Sequence, residues 1–129
     1  MGDIVKVVRE SEGQTFVQET CRATILLSPD NVASRGMDLG ILHLQPRSKT
    51  LPNMHPRSEE MFYLLKGKGT ITVEDETEEI EAGVAIYIPE NVVHHFENTQ
   101  DGEMVFILVH APPEDAQDVA DSPWAQAAN

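Results

Sequence analysis

Two histidines and a glutamate stand at spacings that suit a metal site. His55 lies five residues before Glu60, and Glu60 opens an alternating apolar run that ends at Gly67. His94 follows a polar turn and leads into a second strand pattern. If the two strands are neighbours, two imidazoles and one carboxylate converge in the arrangement that divalent transition metals adopt when positions stay open for a substrate. The sequence therefore predicts one divalent metal, Fe, Mn, Ni or Zn, held by His55, Glu60 and His94.

The same two stretches, 53–67 and 83–98, carry the motifs of a known family. They read Asn53-x-His55-x4-Glu60-x6-Gly67 and Gly83-x5-Pro89-x-Asn91-x2-His94-x3-Asn98. At these spacings the chain resembles the cupin superfamily, whose motifs are G-x5-H-x-H-x3,4-E-x6-G and G-x5-P-x-G-x2-H-x3-N. Two linked blocks of fixed spacing are a far more specific signal than one short motif. The resemblance implies a jelly-roll barrel, the double-stranded β-helix.

Two positions depart from these motifs. Asn53 stands where the family has a metal-ligating histidine, and an amide oxygen binds a metal more weakly than imidazole does. We expect Asn53 within reach of the metal, directly or through a water. Asn91 replaces a turn glycine. Because Asn tolerates the left-handed backbone conformation better than other non-glycine residues, we expect the turn to be kept.

The rest of the chain indicates an all-β fold independently of the motifs. Short runs of β-forming residues alternate with Pro, Gly and Asn turns, and scarcely any segment has a helical period. A length of 129 residues predicts a single domain, 1–129. Within it, 1–14 is an N-terminal lead-in, with an edge strand expected over Ile4 to Val8. Residues 114–129 form a polar C-terminal tail, for which the sequence leaves two alternatives: packing through its single anchor, Trp124, or staying loose.

Composition excludes several classes of partner. The formal net charge is −13 and the sequence pI is about 4.6, so nucleic acid and anionic membrane surfaces would repel the protein. Cys21 is the single cysteine, which rules out an internal disulfide. No apolar run of membrane length and no leader pattern occur in the sequence, so a cytoplasmic location is expected.

Two further residues are candidates for substrate binding. Arg57 lies between His55 and Glu60, where its guanidinium could offer a planar fork to a carboxylate at the pocket mouth; pairing with Glu59 at the surface is the alternative. His43 lies within a predicted strand and is either a pocket residue or an ordinary strand histidine. Two more histidines remain. His95 is expected to face outward, because adjacent strand residues point to opposite faces. His110, at the end of the last strand, stays unassigned.

Three functions are compatible with these features. The favoured hypothesis is a metalloenzyme acting on a small oxygen-rich substrate, and the resemblance to cupins implies a reaction of the dioxygenase, decarboxylase, isomerase or lyase type. Arg47, Lys49 and Arg57 make the ligand loop basic, which favours an anionic substrate. The second hypothesis is a non-catalytic binding module for a sugar or small acid. A structural or storage role fits poorly with three retained ligands. A homodimer is expected, because exposed sheet edges favour pairing between copies.

Overall fold

The computed structural model describes residues 5–126, which are almost entirely β-structure. Ten strands follow a single turn of 3-10 helix at Glu10–Glu12, and one short α-helix precedes the last strand. The strands are β1 Gln14–Val17, β2 Cys21–Leu27, β3 Asp38–Leu44, β4 Glu59–Lys66, β5 Lys68–Val73, β6 Glu76–Glu81, β7 Ala85–Ile88, β8 His94–Asn98, β9 Met104–Ala111 and β10 Ala125–Gln126; the helix is α1, Ala116–Ala120.

The strands form two antiparallel sheets that share one core. The larger sheet has the order β10-β1-β2-β3-β9-β4-β7, and the smaller has the order β6-β5-β8. Phe96 of the smaller sheet packs against two rings of the larger one, with centroid separations of 4.9 Å to Phe62 and 4.5 Å to Phe106. The crossover order and the shared interior confirm the all-β fold and the jelly-roll barrel that the sequence indicated.

Side chains alternate strictly between the interior and the outer surface along β9. Met104, Phe106, Leu108 and His110 are buried, whereas the residues between them are only partly buried. A strand has a side-chain period of two, so these four point to the same face. The first three belong to the apolar core, and His110 continues their line at the end of the strand. The barrel interior is therefore apolar along most of its length and polar at one end.

Three motif residues that lie between strands, Gly67, Gly83 and Asn91, have a left-handed backbone conformation. Gly67 has φ of 102°, and a Cβ there would lie 2.8 Å from the Met104 side chain. Gly83 has φ of 97°. Asn91 has φ of 64°, which confirms that it takes over the conformation of the motif glycine.

The N-terminal lead-in differs from the expectation. Ile4 lies outside the described residues, and residues 5–8 form no strand, so the edge strand predicted over Ile4 to Val8 is wrong for that part. The side chains of Val5 and Val7 are exposed. This edge of the larger sheet is formed instead by β10, which pairs with β1 and places Gln126 opposite Phe16.

Trp124 anchors the described part of the C-terminal tail, which is one of the two alternatives that the sequence left open. Trp124 is partly buried and packs against the core. Upstream of it, the N-cap residue Asp115 accepts a hydrogen bond from the backbone N–H of Asp118 and starts α1. Among residues 5–126, no helix has the length and apolarity needed to cross a membrane.

Candidate metal centre

Three neighbouring strands bring a polar row into the end of the barrel. In the strand register, His110 of β9 lies between Asp38 of β3 and Glu60 of β4. All three side chains are buried and share the inward face. Two further histidines reach the same place, His55 from the loop before β4 and His94 from the first position of β8. The loop is tied to β8 by backbone hydrogen bonds in both directions between Asn53 and His94.

Glu60 is the centre of this cluster. Its Oε1 lies 2.8 Å from Nε2 of His55 and 3.2 Å from Nε2 of His94. Its Oε2 lies 2.9 Å from Nε2 of His110. Three imidazoles from three parts of the chain therefore present the same ring nitrogen to one buried carboxylate.

The other ring nitrogen of each histidine is held by an acceptor. His55 donates from Nδ1 to Oε2 of Glu114 at 3.1 Å, His94 to the carbonyl oxygen of Val92 at 3.1 Å, and His110 to Oδ1 of Asp38 at 2.8 Å. Because these acceptors have no proton to give, Nδ1 carries the hydrogen in each ring, and Nε2 is the atom left to bind a metal. Metal-binding histidines in proteins are oriented by such contacts.

The geometry fits a divalent metal. Oε1 of Glu60 is buried, and two imidazole nitrogens lie within 3.2 Å of it. A buried carboxylate needs positive partners, which are either protons on the imidazoles or a metal ion bound among them. Ligands at about 2.1 Å from one metal and at right angles to each other lie about 3.0 Å apart. The three nitrogen–oxygen separations, 2.8, 2.9 and 3.2 Å, bracket that value.

The histidines and carboxylates of the cluster shift one another's pKa values strongly. Burial by itself would lower the pKa of His55, but the carboxylates of Glu114 and Glu60 raise it to about 9. For His110 burial is likewise outweighed, chiefly by Glu60, and its pKa lies well above the ordinary value. Burial would raise the pKa of Glu60, yet His110 and the other imidazoles hold it well below its usual range. Without a metal, the cluster is therefore stabilised by protons on its histidines.

The centre forms part of the wall of a cavity of about 610 Å³. Its walls are mainly apolar and include Phe16, Ile25, Phe62 and Leu108. The C-terminal segment from Pro113 to Trp124 contributes one side of the cavity. Among the described residues, the lining contains no lysine or arginine. This volume is in the range of cavities that bind small molecules.

The structure brings together His55, Glu60 and His94, the three residues predicted to hold the metal. Asn53 lines the same cavity, but its side-chain oxygen accepts a hydrogen bond from the backbone N–H of Met54 at 2.8 Å.

The two residues predicted to bind substrate lie outside the cavity lining. The guanidinium of Arg57 forms an ion pair with Asp118 of α1, and its side chain is 57% exposed. This contact replaces the surface pair with Glu59 that the sequence suggested as the alternative. His43 faces the outside of β3, where Nδ1 contacts Glu103 at 3.0 Å and Nε2 contacts Glu10 at 2.9 Å.

Three residues of the centre were not singled out from the sequence as ligands or their supports: His110, Asp38 and Glu114. His110 and Asp38 occupy strand ends, and the apolar run before His110 has hydrophobic residues on both faces, so its inward face is not readable from the pattern. Glu114 follows two prolines in the polar tail, where the sequence offers no period at all.

Comparison with known proteins identifies the family. The model of the Cupin domain family matches residues 40–110, more than half of the chain, and this range contains every residue of both motifs. The chain belongs to the cupin superfamily. The match begins in β3, two residues after Asp38, and ends at His110, so it includes His110 and Glu60 of the polar row but not Asp38.

Similar proteins include an archaeal and a bacterial relative. This cupin is 37% identical over 71 residues to an uncharacterized protein of Methanocaldococcus jannaschii, covering 55% of the chain and 57% of that protein. It is 40% identical over 70 residues to dimethylsulfoniopropionate lyase DddW of Ruegeria pomeroyi, covering 54% of the chain and 45% of the lyase. The chain thus spans about half the length of these two relatives.

A solved structure shows the same fold. The crystal structure of a predicted oxalate decarboxylase from Thermotoga maritima superposes with a TM-score of 0.71 at 23% identity, covering 83% of this chain and 99% of that one. At this identity the likeness establishes the jelly-roll fold of the cupin, and the chemistry has to be argued from the site.

Proposed function

We propose that this cupin is a metal-dependent enzyme acting on a small, oxygen-rich substrate, with His55, Glu60 and His94 holding one divalent ion, Fe, Mn, Ni or Zn. The observation that carries the proposal is the convergence of three imidazole Nε2 atoms on the buried carboxylate of Glu60, in the wall of a substrate-sized cavity. When bound, the metal would supply a Lewis acid for a substrate oxygen.

The protein itself would position the substrate and exclude water. Phe62 and Leu108 lie directly below the polar row in the strand register, so the floor of the site is closed by apolar side chains. The carboxylate of Glu114 stands beside the cluster, with Oε1 3.1 Å from Nε2 of His110. It is the side chain best placed to take up or return a proton next to a substrate on the metal.

The charge of the cavity restricts the substrate. Arg47 and Lys49, like Arg57, lie outside the lining, where they contact Asp101 at 2.9 Å and Glu97 at 4.0 Å. A substrate anion would therefore find its positive partners only in the metal and the imidazoles. This favours a molecule with a single acidic group or a neutral, oxygen-rich one over a highly charged one.

Lyase and decarboxylase activities are the first to assay. The relative DddW is a dimethylsulfoniopropionate lyase, and the structural neighbour from Thermotoga maritima is a predicted oxalate decarboxylase. Both names denote reactions of small carboxylates, which a metal with open positions can bind through oxygen. Dioxygenase and isomerase activities belong to the same proposal and form the next tier of assays.

One observation favours a non-catalytic binding module for a sugar or small acid as a second candidate. The chain's own Glu114 carboxylate occupies the place beside His55 and His110 where a substrate acid could approach the centre. A ligand acid could displace Glu114 from this place and bind to the centre without being chemically converted.

The test is metal analysis followed by turnover. Protein prepared without a histidine tag is analysed by mass spectrometry of its metals, reloaded with each candidate ion, and incubated with small carboxylates and neutral sugars under NMR observation. Turnover by the loaded protein that is lost in Glu60→Gln, and kept in the exposed neighbour Glu59→Gln, supports the enzyme. Failure to retain any of the four metals would overturn the proposal, and tight ligand binding without turnover would replace it by the binding module.

A further inference from the structure

We infer that His110 takes the place of the histidine that the first cupin motif lacks at position 53, so that the metal centre of this protein has four protein ligands: His55, Glu60, His94 and His110. This inference rests on the proposed metal site and specifies its composition. It makes β9, outside both motifs, a part of the centre.

The side chain at position 53 is already engaged. Oδ1 of Asn53 accepts the backbone N–H of Met54 at 2.8 Å, and the backbone of Asn53 is paired with that of His94. Asn53 would have to give up this hydrogen bond to offer its oxygen to a metal. An amide oxygen is also a weaker ligand than imidazole for the transition metals considered. Asn53 therefore serves as a turn residue of the ligand loop.

His110 has the position that a ligand requires. Its Nε2 lies 2.9 Å from Oε2 of Glu60, and its ring centroid lies 4.8 Å from that of His55. Ligand atoms of His55, Glu60 and His110 all lie within 4.8 Å of one another. Opposite ligands of one ion at about 2.1 Å are separated by about 4.2 Å, so a single ion can reach all three with small adjustments.

Asp38 holds His110 in a ligand's orientation. Its Oδ1 accepts Nδ1–H of His110 at 2.8 Å and the backbone N–H of the same residue at 3.2 Å. Its Oδ2 accepts the backbone N–H of Glu114 at 3.2 Å. A carboxylate on Nδ1 fixes the tautomer whose Nε2 can bind a metal and raises the basicity of that nitrogen. His55 is held by Glu114 in the same manner, so two of the histidines have matching supports.

The same contacts identify Asp38 as a positioning residue. The carboxylate does not approach Glu60 itself; it acts through His110 and through the start of the C-terminal segment. Replacing it with the isosteric amide keeps the volume but allows the amide to present N–H to Nδ1, which favours the other tautomer. Loss of such an outer contact typically weakens metal binding by about 10- to 100-fold.

The experiment compares metal affinities of matched variants by competition with a chromophoric chelator, using Zn(II) and Co(II). His110→Ala is expected to weaken binding by more than about 100-fold, beyond the range of an outer contact, and Asp38→Asn by about 10- to 100-fold. Asn53→Ala is expected to stay within about 3-fold of the parent, as is the control His95→Ala, whose ring lies on the opposite face of β8.

A second measurement uses the unmodified protein, so that it does not depend on any variant folding. In the Zn(II)-loaded protein, long-range 15N correlation spectra report for each histidine whether Nε2 carries a metal. Metal-type shifts for His55, His94 and His110 support the inference. A proton-type or free Nε2 shift at His110 would overturn it, as would parental affinity in His110→Ala with a large loss in Asn53→Ala. If His55→Ala retained parental affinity, or the unmodified protein bound no metal, the proposed metal site itself would fall.

Discussion

The metal-free protein is expected to lose stability as the pH rises from 6.5 to 9. The pKa of His55 is raised from 6.5 to about 9 by Glu114 and Glu60 against the effect of burial. A raised histidine pKa contributes stability that is fully present below 6.5 and is lost as the pH passes through the folded-state value. At about 1.4 kcal/mol per unit, the His55 contribution alone is about 3 kcal/mol.

The other groups of the cluster do not reverse this loss of stability with rising pH. The pKa of His110 is also raised, so its contribution is lost on the same side. The pKa of Glu60 is lowered, so its contribution is present above about 4.5 and disappears only on acidification. A loss of about 3 kcal/mol is a large share of the 5–15 kcal/mol that typical domains possess.

The assay is urea unfolding in excess chelator at half-unit steps between pH 6 and 9.5, together with the NMR titration of the His55 ring. Glu114→Gln removes the strongest of the contacts that raise this pKa and should reduce the loss, whereas Glu59→Gln, at an exposed neighbouring site, should leave it unchanged. A free energy of unfolding that stays level across this range, or a His55 ring that titrates at or below 6.5, would refute the reasoning.

Three other predictions concern the core, the tail and assembly. Phe106→Ala is expected to lower the free energy of unfolding by about 3–5 kcal/mol, because its ring has no exposed surface; urea denaturation measures this, and a loss under about 1 kcal/mol would contradict it. Arg57→Ala should speed hydrogen exchange in α1, because the guanidinium is paired with Asp118, and should leave metal content unchanged; unaltered exchange would count against that role. The expected homodimer should appear in light scattering at micromolar concentration, and Met61→Lys, on the exposed apolar face of β4, should convert it to monomers; a monomeric parent would disprove it.

The sequence was sufficient to predict features that depend on residues close together in the chain. The hairpin between the motifs is formed by β5 and β6, and its turn lies at the acidic residues Glu74 and Asp75. Asn91 adopts the left-handed conformation that its place in the second motif requires. His55 and Glu60 come together because the loop that leads into β4 positions both of them. The five-residue separation that allows this can be read directly from the sequence.

Features that depend on which strands become neighbours were not predictable in the same way. His110 meets Glu60 only because β9 lies between β3 and β4, a pairing between residues 50 apart in the chain. The β9 sequence could not identify its inward face, since Val105, Ile107 and Val109 are as apolar as the residues that face the core. Tertiary pairing decides which of two equivalent strand faces is buried.

Arg57 shows the same limit for a charged side chain. Its place between two ligands suggested that it could reach the pocket, but the direction of a loop side chain is set by the partner nearest to it in space. That partner is Asp118, which α1 brings to the outer side of the loop. The acidic C-terminal tail therefore competes for the guanidinium that a substrate carboxylate would need.

The row structure of the barrel explains how the centre can tolerate the loss of a motif histidine. Asp38, His110 and Glu60 form one row across three strands, and the next row inward is Gly40, Leu108 and Phe62. Polar groups at this boundary have apolar neighbours on one side, so they must be satisfied by each other or by a cation. An imidazole one strand away from Glu60 already lies at ligand distance, and Asp38 supplies the acceptor that orients it. In the four-ligand centre that we infer, His110 on β9 therefore supplies the imidazole that position 53 lacks.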